Sequence, residues 1–589
     1  MKRLSSSLII LFVSAMSYAL PIDEESAMNI ASAFFADLPT RAIAHDVRLV
    51  WAGRKFPVGI QDVRSSHSSD NAYLYVYNRG TSDGFVVVSG ETGMPSVLAF
   101  SHERSFDFNN MSPGTQALMH GWCRQIQAVR EGKFATAGYI SQTSDKEGNV
   151  VRKYETPLWG QGKPFNLEAP VFADVQCVTG CVATAISILA YYHKYPISGT
   201  GTVPEYTYDG VTIPEQKLGR AYDYGRMLSD YTNGYTEEQG MAVAALMKDV
   251  GIAVKMMYGV NLSAAFDREV LPALITHFGY SKNAFMGYAE GYGMDEWTSV
   301  LKQNLDEFGP TSYRGTGASG GHAFVLDGYT DSGYFSINYG WGGANNGYYL
   351  LPGIEFYDDQ AALLHLIPDP HGISSYRDNL VIVGSYDEET EDGVETFRGL
   401  QAMSDSYETG IPSLVKLSCL MNNSLAPFNG KVKISLCNAE GEIKEDLVES
   451  DVENLAYFNS RYFKSPIEIT ITKEINVGDR LRVFYRGEYS DQWQLAKVYS
   501  DDLYYEAVIM AAPEQVAGSL NLSWSKTSRT MSLGSSFPIQ CHIEGEGHSA
   551  FVSTRPYKMT DMSLAEFPKG KYLLRVSAGS DPYEVEIIL

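Results

Sequence analysis

Cysteine is scarce. The chain has six, at positions 123, 177, 181, 419, 437 and 541 of 589, too few and too scattered for the disulfide framework that staples small exported domains. Basic charge is also short: 46 Lys and Arg stand against 70 Asp and Glu, a net charge of −24. That balance excludes an extended phosphate-binding surface, and with it nucleic acid as a partner. Beyond the first residues nothing approaches the ~18 consecutive apolar residues of a spanning helix, so no transmembrane segment is expected. Neither an HExxH motif nor a paired CxxC set occurs, so metal chemistry has no ligand pattern to rest on; no metal and no other cofactor is expected.

What is present points to several folded units. The length is about four times that of a usual domain, and 39 Tyr, 26 Phe and 7 Trp supply large side chains for separate cores. Lys2 and Arg3, an apolar run from Leu8 to Val13 and the small-residue end Ser17-Tyr18-Ala19 read as an export signal cut after Ala19, which implies a secreted or cell-surface protein. From Glu24 to about Arg130, helical periods (26–35, 114–129) alternate with strand-like runs (72–77, 84–89), predicting a small α+β unit. Residues 135–155 carry neither period and read as an exposed linker and cleavage site. Residues 157–368 open with a helix and close with glycine-punctuated strands (321–329, 334–339), a mixed α+β domain. Beyond 369, alternating runs such as 431–436 and 480–485 predict β-sandwich modules, divided near Ala512-Pro513. The expected units are therefore 1–19, 20–150, 151–368, 369–512 and 513–589. The acidic run from Asp387 to Asp392 reads as a solvated loop, since it lacks the ligand alternation and turn glycine of a calcium loop.

The richest stretch for chemistry is Val178-Thr179-Gly180-Cys181-Val182-Ala183-Thr184. Val182, Ala185, Ile186 and Leu189 share a helical face, and Thr179 suits an N-cap, so Cys181 is expected in the first turn of a helix that stops before Pro196. There the unpaired N–H groups and the positive helix end favour a thiolate and can also hold an oxyanion. A thiolate nucleophile needs a base, and His322 in Gly320-Gly321-His322-Ala323-Phe324 is the candidate, on a strand whose glycines leave room for a substrate backbone. Gly320, Gly321 and Ala323 are the expected substrate-binding positions. If Asp331 and Ser332 form the turn that follows, positions summing to 663 pair: Trp341 lies across from His322, and Asn338 pairs with Val325 on the other face. A slip of one residue would bring Asn338 to the side of His322 instead. Among the other cysteines, Cys419 and Cys437 are the one pair to test as a bridge. His193 reads as a structural group at a helix end.

Four motifs in this order, Trp-Gly-Gln at 159–161, Thr-Gly-Cys-Val-Ala-Thr-Ala at 179–185, Gly-Gly-His-Ala-Phe-Val-Leu-Asp-Gly at 320–328 and Asn-Tyr-Gly-Trp-Gly-Gly at 338–343, resemble the streptopain family of papain-like cysteine peptidases. Upstream, Tyr75-Val76-Tyr77-Asn78 and Gly84-Phe85-Val86-Val87-Val88-Ser89-Gly90 resemble that family's inhibitory propeptide. The resemblance implies Cys181 as nucleophile, His322 as general base and then acid, Gln161 as oxyanion donor beside the N–H of Cys181, Trp341 flanking the histidine, and Asn338 as the orienting amide. It also implies protein or peptide substrates and a pro-domain acting as intramolecular inhibitor. Cys177, four residues before the nucleophile, is not a family feature; it is either an inert loop cysteine or a partner that locks Cys181 in a disulfide on oxidation. The segment 567–576 faintly resembles the sorting domains that end some secreted bacterial proteins.

The expected protein is thus an α+β secreted zymogen: signal peptide, inhibitory α+β pro-domain, papain-like cysteine endopeptidase and C-terminal β-sandwich modules. Two alternatives stay open. One is a surface adhesin in which the β modules bind and the papain-like domain is scaffold; the other is a related thiol amidase acting on cell-wall peptides.

Overall fold

A computed structural model describes residues 20–36, 47–57, 71–131 and 148–589, apart from 173, 293, 318–319, 354–356, 384, 391–392, 403–406, 464, 477, 499–506, 510–512, 526–528, 536–538, 555–559 and 579–581. The expected export signal and most of the expected linker lie outside the described residues. Helices and strands both abound, and the chain is α+β.

The N-terminal part forms as its local chemistry dictates. Helix Glu24–Ala36 starts where the Asp23 carboxylate accepts the N–H of Ser26 at 2.7 Å, and it buries Ala27, Ala31 and Phe35, a stripe at intervals of four. Helix Pro113–Arg130 is capped by the Ser112 hydroxyl on the N–H of Thr115, with proline in its first turn. Strands Val47–Gly53, Leu74–Arg79, Phe85–Ser89 and Val97–Ser101 form an antiparallel meander.

That meander does not close on itself. Val97–Ser101 pairs with Gly347–Tyr349, Phe100 opposite Tyr348 and Ala99 opposite Tyr349, so the sheet runs on through Phe335–Asn338, Gly320–Thr330, Thr311–Gly317, Asp358–Leu364 and Phe285–Tyr288. With Val150–Lys153 added beside Gly320–Thr330, the sheet has eleven strands. Residues from both halves fill one core: Phe85, Phe100 and Trp122 pack with Phe324, Tyr339 and Tyr349. The other face of the same strands carries a second core, with Ala323 and Val325 against helices Cys181–His193 and Glu237–Ala253. Successive side chains on a strand point to opposite faces, and here they feed two different cores.

Beyond 369 the regular elements among the described residues are strands, apart from helix Pro513–Ser519, with one core from Leu380 to Ala496 and another from Val516 to Ala578. Helix Pro513–Ser519 opens the last part, where a division was expected; residue 512 itself is outside the described residues.

Four expectations need correction. Residues 150–153 are not linker: they pair with the histidine strand, Lys153 opposite Gly328, and Lys153 Nζ meets the buried Asp327 carboxylate at 2.7 Å. The acidic run is not a loop over its first part, because Ser385–Thr390 pairs with Gly393–Arg398, Glu388 opposite Glu395. Cys419 and Cys437 do not bridge; both are free and buried, in strands of two different sheets. The cysteine helix has no single apolar face: from Ala183 to Ala190 every residue is buried, since it lies between neighbours rather than on the surface.

Candidate active site

Cys181 is the first residue of helix Cys181–His193, as its sequence predicts, but the cap is different. Gly180 is the N-cap, at φ +87°, a left-handed backbone that glycine adopts without strain, and no side chain caps the helix. The Thr179 hydroxyl turns instead to that of Thr184 at 3.0 Å. First-turn N–H groups are therefore left free, and the N–H of Val182 is one that reaches the sulfur. Burial alone would raise the Cys181 pKa. A hydrogen bond and charge from His322, with the N–H groups of Ala323 and Val182, outweigh burial and bring the thiol below its usual range.

His322 is 3% exposed, on strand Gly320–Thr330. Its Nε2 lies 2.9 Å from the Tyr339 carbonyl, which can only accept, so Nε2 carries a proton and Nδ1 is the nitrogen left for the thiol. Trp341 meets the imidazole edge-on with ring centroids 6.0 Å apart. The expected register survives by cancellation. The turn is one residue longer than expected, with Tyr329 opposite Phe335, and a bulge between Leu326 and Gly328 takes up that residue, restoring Val325 opposite Asn338.

Asn338 therefore does not orient the histidine. Its Nδ2 donates to the Thr156 hydroxyl at 3.0 Å and the Pro157 carbonyl at 2.9 Å, and its Oδ1 accepts the N–H of Gly340 at 3.1 Å. It clamps the turn that presents the Tyr339 carbonyl, a backbone acceptor with no signature in sequence. Gln161 is brought near the nucleophile by its own backbone: its carbonyl accepts the N–H of Thr179 at 3.1 Å, while the Trp159 carbonyl accepts the N–H of Gly342 at 2.9 Å. Residues 159–161 thus tie the loop before Cys181 to the loop that carries Trp341.

Gly320 and Gly321 are exposed, and a Cβ on Gly320 would meet nothing within 4 Å, so the backbone here is open to a ligand. Ala323 is buried, and its N–H serves the sulfur rather than a substrate wall. Cys177 is a free, fully buried thiol whose pKa burial raises. His193 ends the cysteine helix with Nδ1 3.2 Å from the Tyr280 hydroxyl; burial lowers its pKa to about 4, so it is neutral, a structural group as expected. A contact that sequence reasoning missed comes from the N-terminal part. A Cβ on Gly114 would lie 2.6 Å from Cδ2 of His322, so the start of helix Pro113–Arg130 rests on the imidazole.

Two family models match. Residues 159–349 match the Peptidase C10 family, and residues 19–126 match the Spi protease inhibitor. The chain is 32% identical over 304 residues to streptopain of Streptococcus pyogenes serotype M28 (strain MGAS6180), which covers 48% of this chain and 74% of that protein. It is 30% identical over 368 residues to the thiol protease/hemagglutinin PrtT of Porphyromonas gingivalis, covering 60% of this chain and 41% of that one. Among solved structures, a fragment of prointerpain A from Prevotella intermedia is 26% identical with a TM-score of 0.44, covering 57% of this chain and all of that one. A cysteine peptidase region and, ahead of it, an inhibitor-like pro-domain are the parts these matches identify. The chain belongs to the Peptidase C10 family and is a cysteine peptidase zymogen.

Proposed function

We propose that the protein is exported and hydrolyses protein substrates with Cys181 as nucleophile and His322 as base and acid. The observation that carries this reading is the Cys181 thiol at an uncapped helix start, lowered in pKa by a histidine whose other nitrogen is fixed on a carbonyl. The thiolate attacks the scissile carbonyl, and the N–H of Cys181 with the Gln161 amide receives the oxyanion. His322 protonates the leaving amine and then takes a proton from the water that opens the acyl-enzyme. Trp341 shields the imidazole, Asn338 acts through the Tyr339 turn, and the exposed Gly320-Gly321 backbone borders the substrate.

The proposed layout is a signal peptide, an inhibitory pro-domain that includes helix Pro113–Arg130, a papain-like peptidase domain and two β-sandwich modules. Strand Val150–Lys153 belongs to the peptidase side, since it pairs with the histidine strand, so the activating cut falls upstream of residue 149. Export is supported by the sequence of residues 1–19. Among the described residues no helix is long and apolar enough to cross a membrane.

The test uses the chain lacking residues 1–19 under reducing conditions beside its Cys181→Ala counterpart. The unsubstituted chain should shorten between residues 131 and 149 and digest casein, and the counterpart should do neither. A chain that stays inert after its linker is nicked by an added protease and the severed pro-domain is removed would overturn the assignment of these residues.

A further inference from the structure

His322 and Asn338 hold the two sides of one peptide group. The Tyr339 carbonyl accepts from His322 Nε2 at 2.9 Å, and the N–H across that same peptide bond, on Gly340, donates to Asn338 Oδ1 at 3.1 Å. The series of bonds continues past the amide. Asn338 Nδ2 faces the Pro157 carbonyl at 2.9 Å, which can only accept, so the amide orientation is fixed and Nδ2 also donates to the Thr156 hydroxyl at 3.0 Å. A hydroxyl has one proton, and that of Thr156 goes to Asp327 Oδ2 at 2.5 Å.

Every bond in this series donates in the same direction, from the imidazole through the 339–340 peptide, Asn338 and Thr156 to a carboxylate. Hydrogen bonds aligned in this way polarise one another, and they do so most where water is excluded. His322, Asn338 and Asp327 are all buried. The backbone singles out Asp327. It is the extra residue of the bulge between Leu326 and Gly328, opposite no residue of strand Phe335–Asn338, and bulges beside active sites re-aim side chains. Burying a carboxylate is costly, and Asp327 Oδ1 has no hydrogen-bond partner. A neutral asparagine would offer Thr156 an acceptor at lower cost, so the charge itself calls for a reason. Lys153 Nζ, 2.7 Å from Oδ2, is a counter-ion whose side chain is 36% exposed, so water weakens its hold on the carboxylate.

We propose that Thr156 and Asp327 are positioning residues for the hydrolysis, acting on His322 through Asn338 and the 339–340 peptide. The negative charge at the far end stabilises the positive charge that the imidazole carries beside the Cys181 thiolate. No proton changes atoms along the series; it supplies orientation and field. All its members lie in the peptidase part, so none leaves with the pro-domain. The inference rests on the catalytic assignment of Cys181 and His322 above.

The test compares Thr156→Val, which keeps the shape and loses the hydroxyl, Thr156→Ser, which keeps the hydroxyl, and Asp327→Asn, which keeps an acceptor and loses the charge. Each chain, lacking residues 1–19, is matured over immobilised unsubstituted enzyme, and kcat, KM and the pH midpoint of Cys181 alkylation are read. Thr156→Val and Asp327→Asn should each lower kcat about threefold, leave KM unchanged and move the midpoint upward. Thr156→Ser should behave as the unsubstituted enzyme. Thr156→Val placed on Asn338→Ala should add nothing, because the series is already cut. An unmoved kcat and midpoint in Thr156→Val, or a Thr156→Ser enzyme as impaired as Thr156→Val, would overturn the inference, and that pair decides even where Asp327→Asn fails to fold. An unsubstituted chain that is inert once freed of its pro-domain would overturn the catalytic assignment, and this inference with it.

Discussion

Gly114 and His322 touch across the boundary between pro-domain and peptidase: a single added carbon on Gly114 would sit 2.6 Å from the imidazole and 3.2 Å from the Tyr339 ring. Helix Pro113–Arg130 can rest on the histidine only because this position has no side chain. Gly114→Val should lift the helix start, so the uncut zymogen cleaves a fluorogenic peptide faster than the unsubstituted zymogen and processes itself sooner. After the pro-domain is removed, the two enzymes should have the same kcat/KM, because Gly114 is then gone.

The Cys181 thiol is under opposing influences, burial raising its pKa and His322 lowering it. Removing His322 should leave burial in command. The pH midpoint of iodoacetamide alkylation should lie below 9 in the mature enzyme and rise above it in His322→Ala. An unmoved midpoint would mean that the two groups do not interact.

Asn338 holds a turn and not the imidazole, so its loss should be mild. Of the three hydrogen bonds that Asn338→Ala removes, the one from the Gly340 N–H steadies the Tyr339 carbonyl directly; losing it costs ~1 kcal/mol, so kcat should fall roughly fivefold with KM little changed. Removing the base itself should cost on the order of 10²–10⁴. The alkylation midpoint of Cys181 should move upward slightly in Asn338→Ala, because a loosened Tyr339 carbonyl no longer fixes the tautomer; a purely structural role would leave it in place.

His193 sets an acid limit on the cysteine helix. Its pKa is about 4 when folded against an ordinary 6.5, lowered by burial. Between those values the unfolded chain binds a proton that the folded chain refuses, so stability is intact above pH 6.5 and declines as pH falls toward 4. His193→Gln should flatten that decline by on the order of 3 kcal/mol at the acid end, read from urea unfolding at pH 7 and pH 4 on the Cys181→Ala background.

The sequence carried the chemistry further than the architecture. Cys181 and His322 were legible because a helix start and a glycine-flanked strand are local patterns, and Trp341 because hairpin counting is local arithmetic that two compensating irregularities left intact. The Tyr339 carbonyl was not legible, since any residue supplies one. Nor was the contact at Gly114, which depends on pairing between residues 100 and 348; no local period records which strands, far apart in the chain, become neighbours. The acidic run misled because charge was read as solvation, whereas a hairpin asks only that its backbone be paired.

The shared sheet turns activation into a matter of timing. Cutting the linker removes one covalent connection, yet the strand pairing of Phe100 with Tyr348, the stacking of Trp122 on Tyr349 and the hydrogen bond from the Tyr334 hydroxyl to the Val97 carbonyl all remain. A nicked molecule is therefore still a silent one. The lag before activity measures how long the severed piece takes to peel away or be digested in place, so an active molecule that destroys its neighbour's freed pro-domain shortens that neighbour's lag, and the population switches on together.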